Sequence, residues 1–139
     1  MLKKMNNQKK NIVITVKVLM MFLIVSCSTK KQFPVSTEIP TTDIIAKKRV
    51  DRNKNIVLHL EARYLPSPNR LSTSSKVYVV WIKTVNADIK NVGQIVNKNA
   101  QKVSFKTVTP FDFNEIFITA EENGIVQRPQ GKVIAALKY

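Results

Sequence analysis

From about residue 50 onward, apolar and polar residues alternate in short runs that predict β-strands. In the first run, Ile56, Leu58 and Leu60 alternate with His59 and Glu61, which gives a strand one buried face and one wet face. Clusters of Pro, Asn, Asp and Gly separate this run from five others. The six predicted strands span 56–65, 76–85, 92–97, 102–107, 115–121 and 132–139. Short, evenly spaced strands predict an all-β fold, an antiparallel, immunoglobulin-like β-sandwich of six to seven strands.

The second strand differs from the others because apolar residues fill both of its phases between Val77 and Ile82. Such a strand is typical of the centre of a sheet that is covered on both faces. Most aromatic residues of the predicted strands fall in apolar phases, which places them in the core rather than on the surface. They are Tyr64, Tyr78, Trp81, Phe105 and Phe117.

The N-terminal region has a different pattern, with a basic, acid-free start followed by an apolar run over residues 18–25. Eight apolar residues are too few for a membrane span, which needs about 20. Thr15 and Lys17 interrupt any extension of the run toward Ile12. The layout predicts a secretory signal. A retained membrane helix and an ordinary signal peptide cut near Ser26 are the alternatives.

The residues at the end of the apolar run, Ile24, Val25, Ser26 and Cys27, resemble the lipobox of bacterial lipoproteins. The resemblance implies a diacylglycerol on the Cys27 thiol, cleavage before Cys27 and acylation of the new amine. Two or more acyl chains anchor a protein stably, at about 0.8 kcal/mol per buried CH₂. The expected location is the cell envelope, facing the periplasm, and the choice between inner and outer membrane stays open.

The segment that follows the cysteine is polar and rich in Ser, Thr and Pro up to about residue 47. This composition predicts an extended tether that lifts the domain off the bilayer. Residues 43–50 are the one helical candidate after the signal. The predicted organisation is therefore a signal peptide over 1–26, a lipidated cysteine and tether over 27–49, and a sandwich domain over 50–139.

The chain is strongly basic, with a formal net charge of +14. Removal of residues 1–26 takes away five lysines and leaves +9, from 18 basic and 9 acidic residues. Such a surplus is compatible with binding to anionic surfaces, but the spread of the charges along the chain favours a solubilising surface. Lys102 and Lys106 share one strand face and are the candidate residues for binding anionic polysaccharide or lipopolysaccharide. Nucleic acid is not an expected partner in the envelope.

Residues that could carry chemistry are sparse. His59 is the only histidine and the only cysteine lies in the signal, so neither a zinc site nor a disulfide is expected. Ser72–Ser75 lack the Gly-x-Ser-x-Gly context, and three glycines provide no phosphate-binding loop. Glu121 and Glu122 are adjacent on a strand and point to opposite faces, so they cannot form a catalytic pair of carboxylates. The sequence predicts a protein without catalytic residues, metal or cofactor.

From Tyr78 onward the chain resembles the C-terminal domain of anti-sigma-K factors. The resemblance rests on five short segments: Tyr78-Val79-Val80-Trp81, Val92-Gly93-Gln94-Ile95, Phe117-Ile118-Thr119-Ala120-Glu121, Asn123-Gly124 and Pro129-Gln130-Gly131. It implies an extracytoplasmic sandwich that binds another envelope component, such as a protein partner, in a sensing or scaffold role. The family's sigma-factor control is not expected to carry over, because that family's cytoplasmic domain and membrane helix are not recognised here.

Overall fold

The computed structural model describes residues 9, 11–14, 28–71, 75–97 and 101–139. Residues 9 and 11–14 are helical, and the remaining described residues contain eight strands, one 3₁₀ turn, Pro68–Arg70, and the loops that connect them. The strands are β1 Ser28–Gln32, β2 Asp43–Val50, β3 Ile56–Arg63, β4 Val77–Thr84, β5 Ile89–Ile95, β6 Lys102–Thr109, β7 Phe113–Glu121 and β8 Lys132–Lys138. Among these residues no helix has the length and apolar character needed to cross a membrane.

The strands form two four-stranded antiparallel sheets. Sheet A has the order β1-β2-β3-β6 and sheet B the order β5-β4-β7-β8. The chain crosses between the sheets after β3, after β5 and after β6, and the pair β3–β6 interlocks with the pair β4–β7. This is a Greek-key arrangement of a β-sandwich. The predicted all-β antiparallel sandwich is confirmed, and all six predicted strands are present with small shifts at their ends.

Two further strands lie where the sequence predicts a tether, which corrects that interpretation. Residues 43–50 are β2 and not a helix, because Ile44 and Ala46 alternate into the core with exposures of 3% and 0%. β1 pairs with β2 along its whole length, from Ser28 opposite Arg49 to Gln32 opposite Ile45. The sandwich therefore includes residues 28–49 and does not begin at 50.

The loop between β1 and β2 also packs on the sandwich. Phe33 and Ile39 are buried in the core between the sheets. The Ser36 hydroxyl donates a hydrogen bond to the carbonyl of Ile134 in β8, and Glu38 pairs with Lys132 at 2.8 Å. These contacts close the open side of the sandwich between β2 and β8.

The main core lies between the two sheets, and β4 runs through its centre. All five residues from Tyr78 to Ile82 are fully buried, which confirms that this strand is covered on both faces. The Tyr78 hydroxyl donates a hydrogen bond to the Pro66 carbonyl at 3.0 Å, and burial raises the pKa of Tyr78 to about 12. Tyr64 is 61% exposed with a φ of 56°, so its predicted place in the core is wrong.

The outer face of sheet B is covered by residues 122–131, here called the cover loop. Beneath it Trp81 stacks on Phe117 with ring centroids 6.2 Å apart, and Val126 of the loop packs against this second apolar cluster. In β5, the Asn91 amide donates hydrogen bonds to the carbonyls of Gly124 and Val126, at 3.0 and 2.9 Å. The loop is therefore fastened to sheet B near the middle of its length.

A buried carboxylate fastens the end of the cover loop. Glu121 is 2% exposed and accepts hydrogen bonds from the Thr119 hydroxyl at 2.6 Å and from the backbone N–H groups of Gln130 and Gly131 at 3.1 and 2.8 Å. The Trp81 indole N–H donates in turn to Thr119 at 2.8 Å. Sheet A carries no such cover, so its outer face is the open broad face of the described domain.

A basic face on sheet A

Strand alternation decides which side chains of sheet A point outward. In β6, Val103 is buried and Phe105 packs against the core, so Lys102, Ser104 and Lys106 must lie on the opposite face. This confirms that Lys102 and Lys106 share one strand face. At about 3.4 Å per residue the two positions lie about 14 Å apart along the strand.

Neighbouring strands add further cations to this surface. The antiparallel register places Lys106 opposite His59, Lys102 opposite Arg63, and Lys47 opposite both His59 and Lys30. We call the resulting surface the basic face. Its cations are Lys30, Lys47, Arg49, Arg63, Lys102 and Lys106. Strands in a sheet are about 4.8 Å apart, so these six charges are spread over a flat surface four strands wide.

One carboxylate sits at the middle of the basic face. Glu61 lies 3.0 Å from the Lys47 ammonium, 3.9 Å from His59 Nε2 and 4.0 Å from the Lys102 ammonium. The hydrogen bond and charge of Lys47, with smaller contributions from Lys102 and His59, lower the pKa of Glu61. Glu61 therefore stays ionised and neutralises part of the charge of Lys47 and Lys102.

The other cations keep their full charge toward solvent. Lys30, Arg49, Arg63 and Lys106 are exposed and form no ion pair with any described residue. By register, the second carboxylate on this side is Asp43, at the end of β2 opposite Arg63. The face thus carries six cations and two carboxylates, and its positive charge is concentrated at Lys106 and along its margins.

His59 and Ser104 also meet on the basic face, with His59 Nε2 2.8 Å from the Ser104 hydroxyl oxygen. The same nitrogen faces Glu61 at 3.9 Å. A catalytic triad needs the serine and the carboxylate on opposite nitrogens of the imidazole, so that one nitrogen accepts the proton while the other is held. The three side chains do not have that arrangement. The described residues also contain no group of three or more His, Cys, Asp or Glu side chains that could hold a metal.

The sequence identified only part of this site. It places Lys102 and Lys106 on one face. Lys30, Lys47 and Arg49 lie in the segment that the sequence predicts to be a tether, and Arg63 lies in the first predicted strand but is not singled out as a binding residue. The alternation of Ile44 and Ala46 with Lys47 is the feature of the sequence that indicates β2. The lipobox residues and the lipidation site, Ile24, Val25, Ser26 and Cys27, lie outside the described residues.

Three comparisons with known proteins bear on this chain. Neither family models, nor curated proteins, nor solved structures give a match.

Proposed function

We propose that this protein is a lipid-anchored, non-enzymatic binding module of the cell envelope, and that its basic face holds an anionic polysaccharide. The observation that carries this proposal is the open array of six cations on sheet A. A flat face of this kind suits an extended chain whose charges repeat, whereas small molecules are bound in concave pockets. Electrostatic attraction over such a face also concentrates a polyanion near it.

The envelope location in this proposal rests on the N-terminal sequence. The basic start, the apolar run over 18–25 and the lipobox-like Ile24-Val25-Ser26-Cys27 are together typical of a lipoprotein signal. The resemblance of residues 78–139 to the extracytoplasmic domain of anti-sigma-K factors supports the same location. It also supports an envelope protein with an acidic surface as the alternative partner, in a sensing or scaffold role.

The binding surface is tested with charge reversals of equal net charge. The double variant Lys102→Glu/Lys106→Glu is expected to bind alginate, a polyuronate, at least about tenfold more weakly than the wild type, since charge reversal replaces attraction with repulsion across the face. The control Lys76→Glu/Arg128→Glu has the same net charge but changes exposed residues outside the basic face, and it is expected to bind nearly as the wild type does. Titration by isothermal calorimetry measures both.

Salt provides the second arm of this test. The Debye length falls from about 10 Å at 0.1 M to about 3 Å at 1 M salt, so the wild-type affinity for alginate is expected to fall steeply over that range. Absent binding, salt-insensitive binding or equal losses in both double variants would contradict a polysaccharide role for the basic face. Capture of an acidic envelope protein by the wild type and not by the Lys102/Lys106 variant would favour the alternative partner.

The anchor is tested by mass and by fractionation. The intact mass of the chain extracted from membranes is expected to correspond to residues 27–139 plus a diacylglycerol and an amide-linked acyl chain. Cys27→Ala removes the thiol that the lipid would modify and is expected to prevent both lipidation and cleavage before residue 27. An unmodified thiol, or a chain that still begins at Met1, would refute the anchor.

A further inference from the structure

The attachment point fixes which part of the sandwich lies nearest to a membrane anchor. Ser28 is the first residue of β1, and it directly follows Cys27 in the sequence. Because Ser28 pairs with Arg49, this point is at the end of sheet A where β2 finishes. A lipid on Cys27 would therefore hold the sandwich by this end without a spacer.

Three connections meet at this end, which we call the anchor end. They are the turn between β2 and β3 (51–55), the turn between β4 and β5 (85–88) and the loop between β6 and β7 (110–112). The two sheets are joined here by Lys48, whose ammonium lies 2.8 Å from Asp112, and by Lys90, whose ammonium lies 5.5 Å from the centre of the Phe111 ring. The anchor end is thus one continuous surface formed by both sheets.

Exposed apolar side chains form part of the anchor end. Ten large apolar residues are exposed among the described residues of 28–139, and five of them lie here: Val50, Val85, Ile89, Val108 and Phe111, which are 57%, 61%, 43%, 55% and 47% exposed. The other five, Val35, Tyr64, Val96, Ile125 and Val133, lie in or beside the loops that follow β1, β3, β5 and β7. What distinguishes the five at the anchor end is that they lie at the end of the sandwich that carries the attachment point, where apolar side chains can enter the interfacial layer of a bilayer.

The charges around these apolar residues are mainly positive. Arg52 and Lys54 are exposed at the tip of the β2–β3 turn, and Arg49 lies beside it. Asp51 is held inside the same turn, where its carboxylate accepts hydrogen bonds from the backbone N–H groups of Asn53 and Asn55, at 2.8 and 2.9 Å. Asp112 is paired with Lys48, and Asp88 lies 3.8 Å from Lys90. The rim of the anchor end therefore offers cations to an anionic partner.

We infer that the anchor end is a docking surface for an anionic lipid bilayer. This inference rests on the proposed lipid anchor at Cys27. Phe111, Val85 and Val50 enter the interfacial layer while Arg52 and Lys54 contact the headgroups, as apolar and basic groups do together in interfacial proteins. The sandwich then stands with its strands pointing away from the membrane, and the basic face is left open at its side. The position of the attachment point and the charge of the rim single out the bilayer as the occupant.

An environment-sensitive fluorophore at chosen positions tests this orientation. The full chain is expressed in a lipidating host and reconstituted into phosphatidylcholine vesicles that contain phosphatidylglycerol. Single cysteines are introduced by Phe111→Cys, by Val96→Cys at the opposite end and by Lys106→Cys on the basic face, and each is labelled with nitrobenzoxadiazole. The Cys27 thiol is blocked by its thioether when lipidated, so only the introduced cysteine reacts.

The expected result is a blue shift and a several-fold rise in emission at position 111 in vesicles relative to detergent, with neither change at positions 96 and 106. Adding Arg52→Glu/Lys54→Glu to the Phe111→Cys chain is expected to reduce that rise. Insertion at position 106 or 96, no change at any position, or a rise at 111 that depends on protein density instead of lipid would overturn the inference while the anchor stands. An intact mass with unmodified Cys27 would overturn the anchor and this inference together.

Discussion

Glu121 is the residue on which the covered face of sheet B depends. A buried carboxylate is costly unless its oxygens are satisfied, and here a hydroxyl and two backbone N–H groups satisfy them. Those two N–H groups belong to Gln130 and Gly131 at the end of the cover loop. A side chain at Gly131 would collide with the Ala120 carbonyl, so glycine is needed where the loop returns to the sheet.

Glu121→Gln is expected to lower the free energy of unfolding by about 2–3 kcal/mol, because the amide NH₂ would face a backbone N–H that now donates to a carboxylate oxygen. Urea denaturation followed by the emission of Trp81, the only tryptophan, measures the change. The neighbouring Glu122 is exposed and pairs with Lys76 on the surface, so Glu122→Gln is expected to stay within about 0.5 kcal/mol of the wild type. Equal effects of the two changes would argue against the buried network.

At the level of elements, the six strands from β3 to β8 could be predicted because each carries an apolar stripe or a run that fills both phases. β1 could not, since it is an edge strand whose residues Ser-Thr-Lys-Lys-Gln contribute mainly backbone hydrogen bonds to the sheet. Backbone pairing leaves no mark on side-chain periodicity. β2 buries only Ile44 and Ala46, which is too little to outweigh its lysines and the Ser/Thr/Pro-rich segment before it.

Ile44→Asp tests the inclusion of β2 in the sandwich. Ile44 is 3% exposed, and an unpaired carboxylate at this position is expected to destabilise the fold by several kcal/mol. Val35, in the loop of the same segment, is 80% exposed, so Val35→Asp is expected to have little effect. Thermal unfolding monitored by circular dichroism compares the two. If Ile44→Asp melts at the same temperature as the wild type, residues 43–50 are not part of the folded core and the predicted tether is correct.

The basic face also depends on information that periodicity does not contain. Alternation within β6 places Lys102 and Lys106 on one face, and this much follows from the sequence. The approach of Lys47 to Glu61 and of Ser104 to His59 requires the strand order β1-β2-β3-β6, in which β6 is separated from β3 by two strands along the chain. Long-range pairing therefore determines how much of the charge on Lys102 is neutralised.

At the scale of the whole molecule, the two broad faces of the sandwich differ in exposure and charge. Sheet B has its outer face covered by residues 122–131 over Trp81 and Phe117, whereas sheet A is open and basic.

Surface ion pairs such as Lys47–Glu61 and Lys48–Asp112 each contribute little to the free energy of unfolding. Their carboxylates nevertheless link stability to pH.

The pKa of Glu61 is lowered from its ordinary 4.5 by Lys47, and that of Asp112 is lowered from 3.8, first by the hydrogen bond from Lys48. Since the unfolded chain binds these protons more readily, the stabilisation is complete above about pH 4.5 and is lost as pH falls through the folded values. Urea midpoints measured from about pH 6 to pH 3 are expected to fall, and Glu61→Gln/Asp112→Asn is expected to flatten that fall. An unchanged slope in the double variant would assign the acid sensitivity to other carboxylates.

The edge strands of both sheets affect whether neighbouring copies of the protein associate. β1, β5, β6 and β8 are the outermost strands, and all four carry lysines, among them Lys30, Lys90, Lys106 and Lys138. Unpaired strand margins readily join to one another, and lysines on them oppose this by mutual repulsion. Molecules confined to two dimensions collide far more often than the same number in solution. With the proposed lipid anchor, charged edge strands would let many copies share a small area of membrane without polymerising into ribbons.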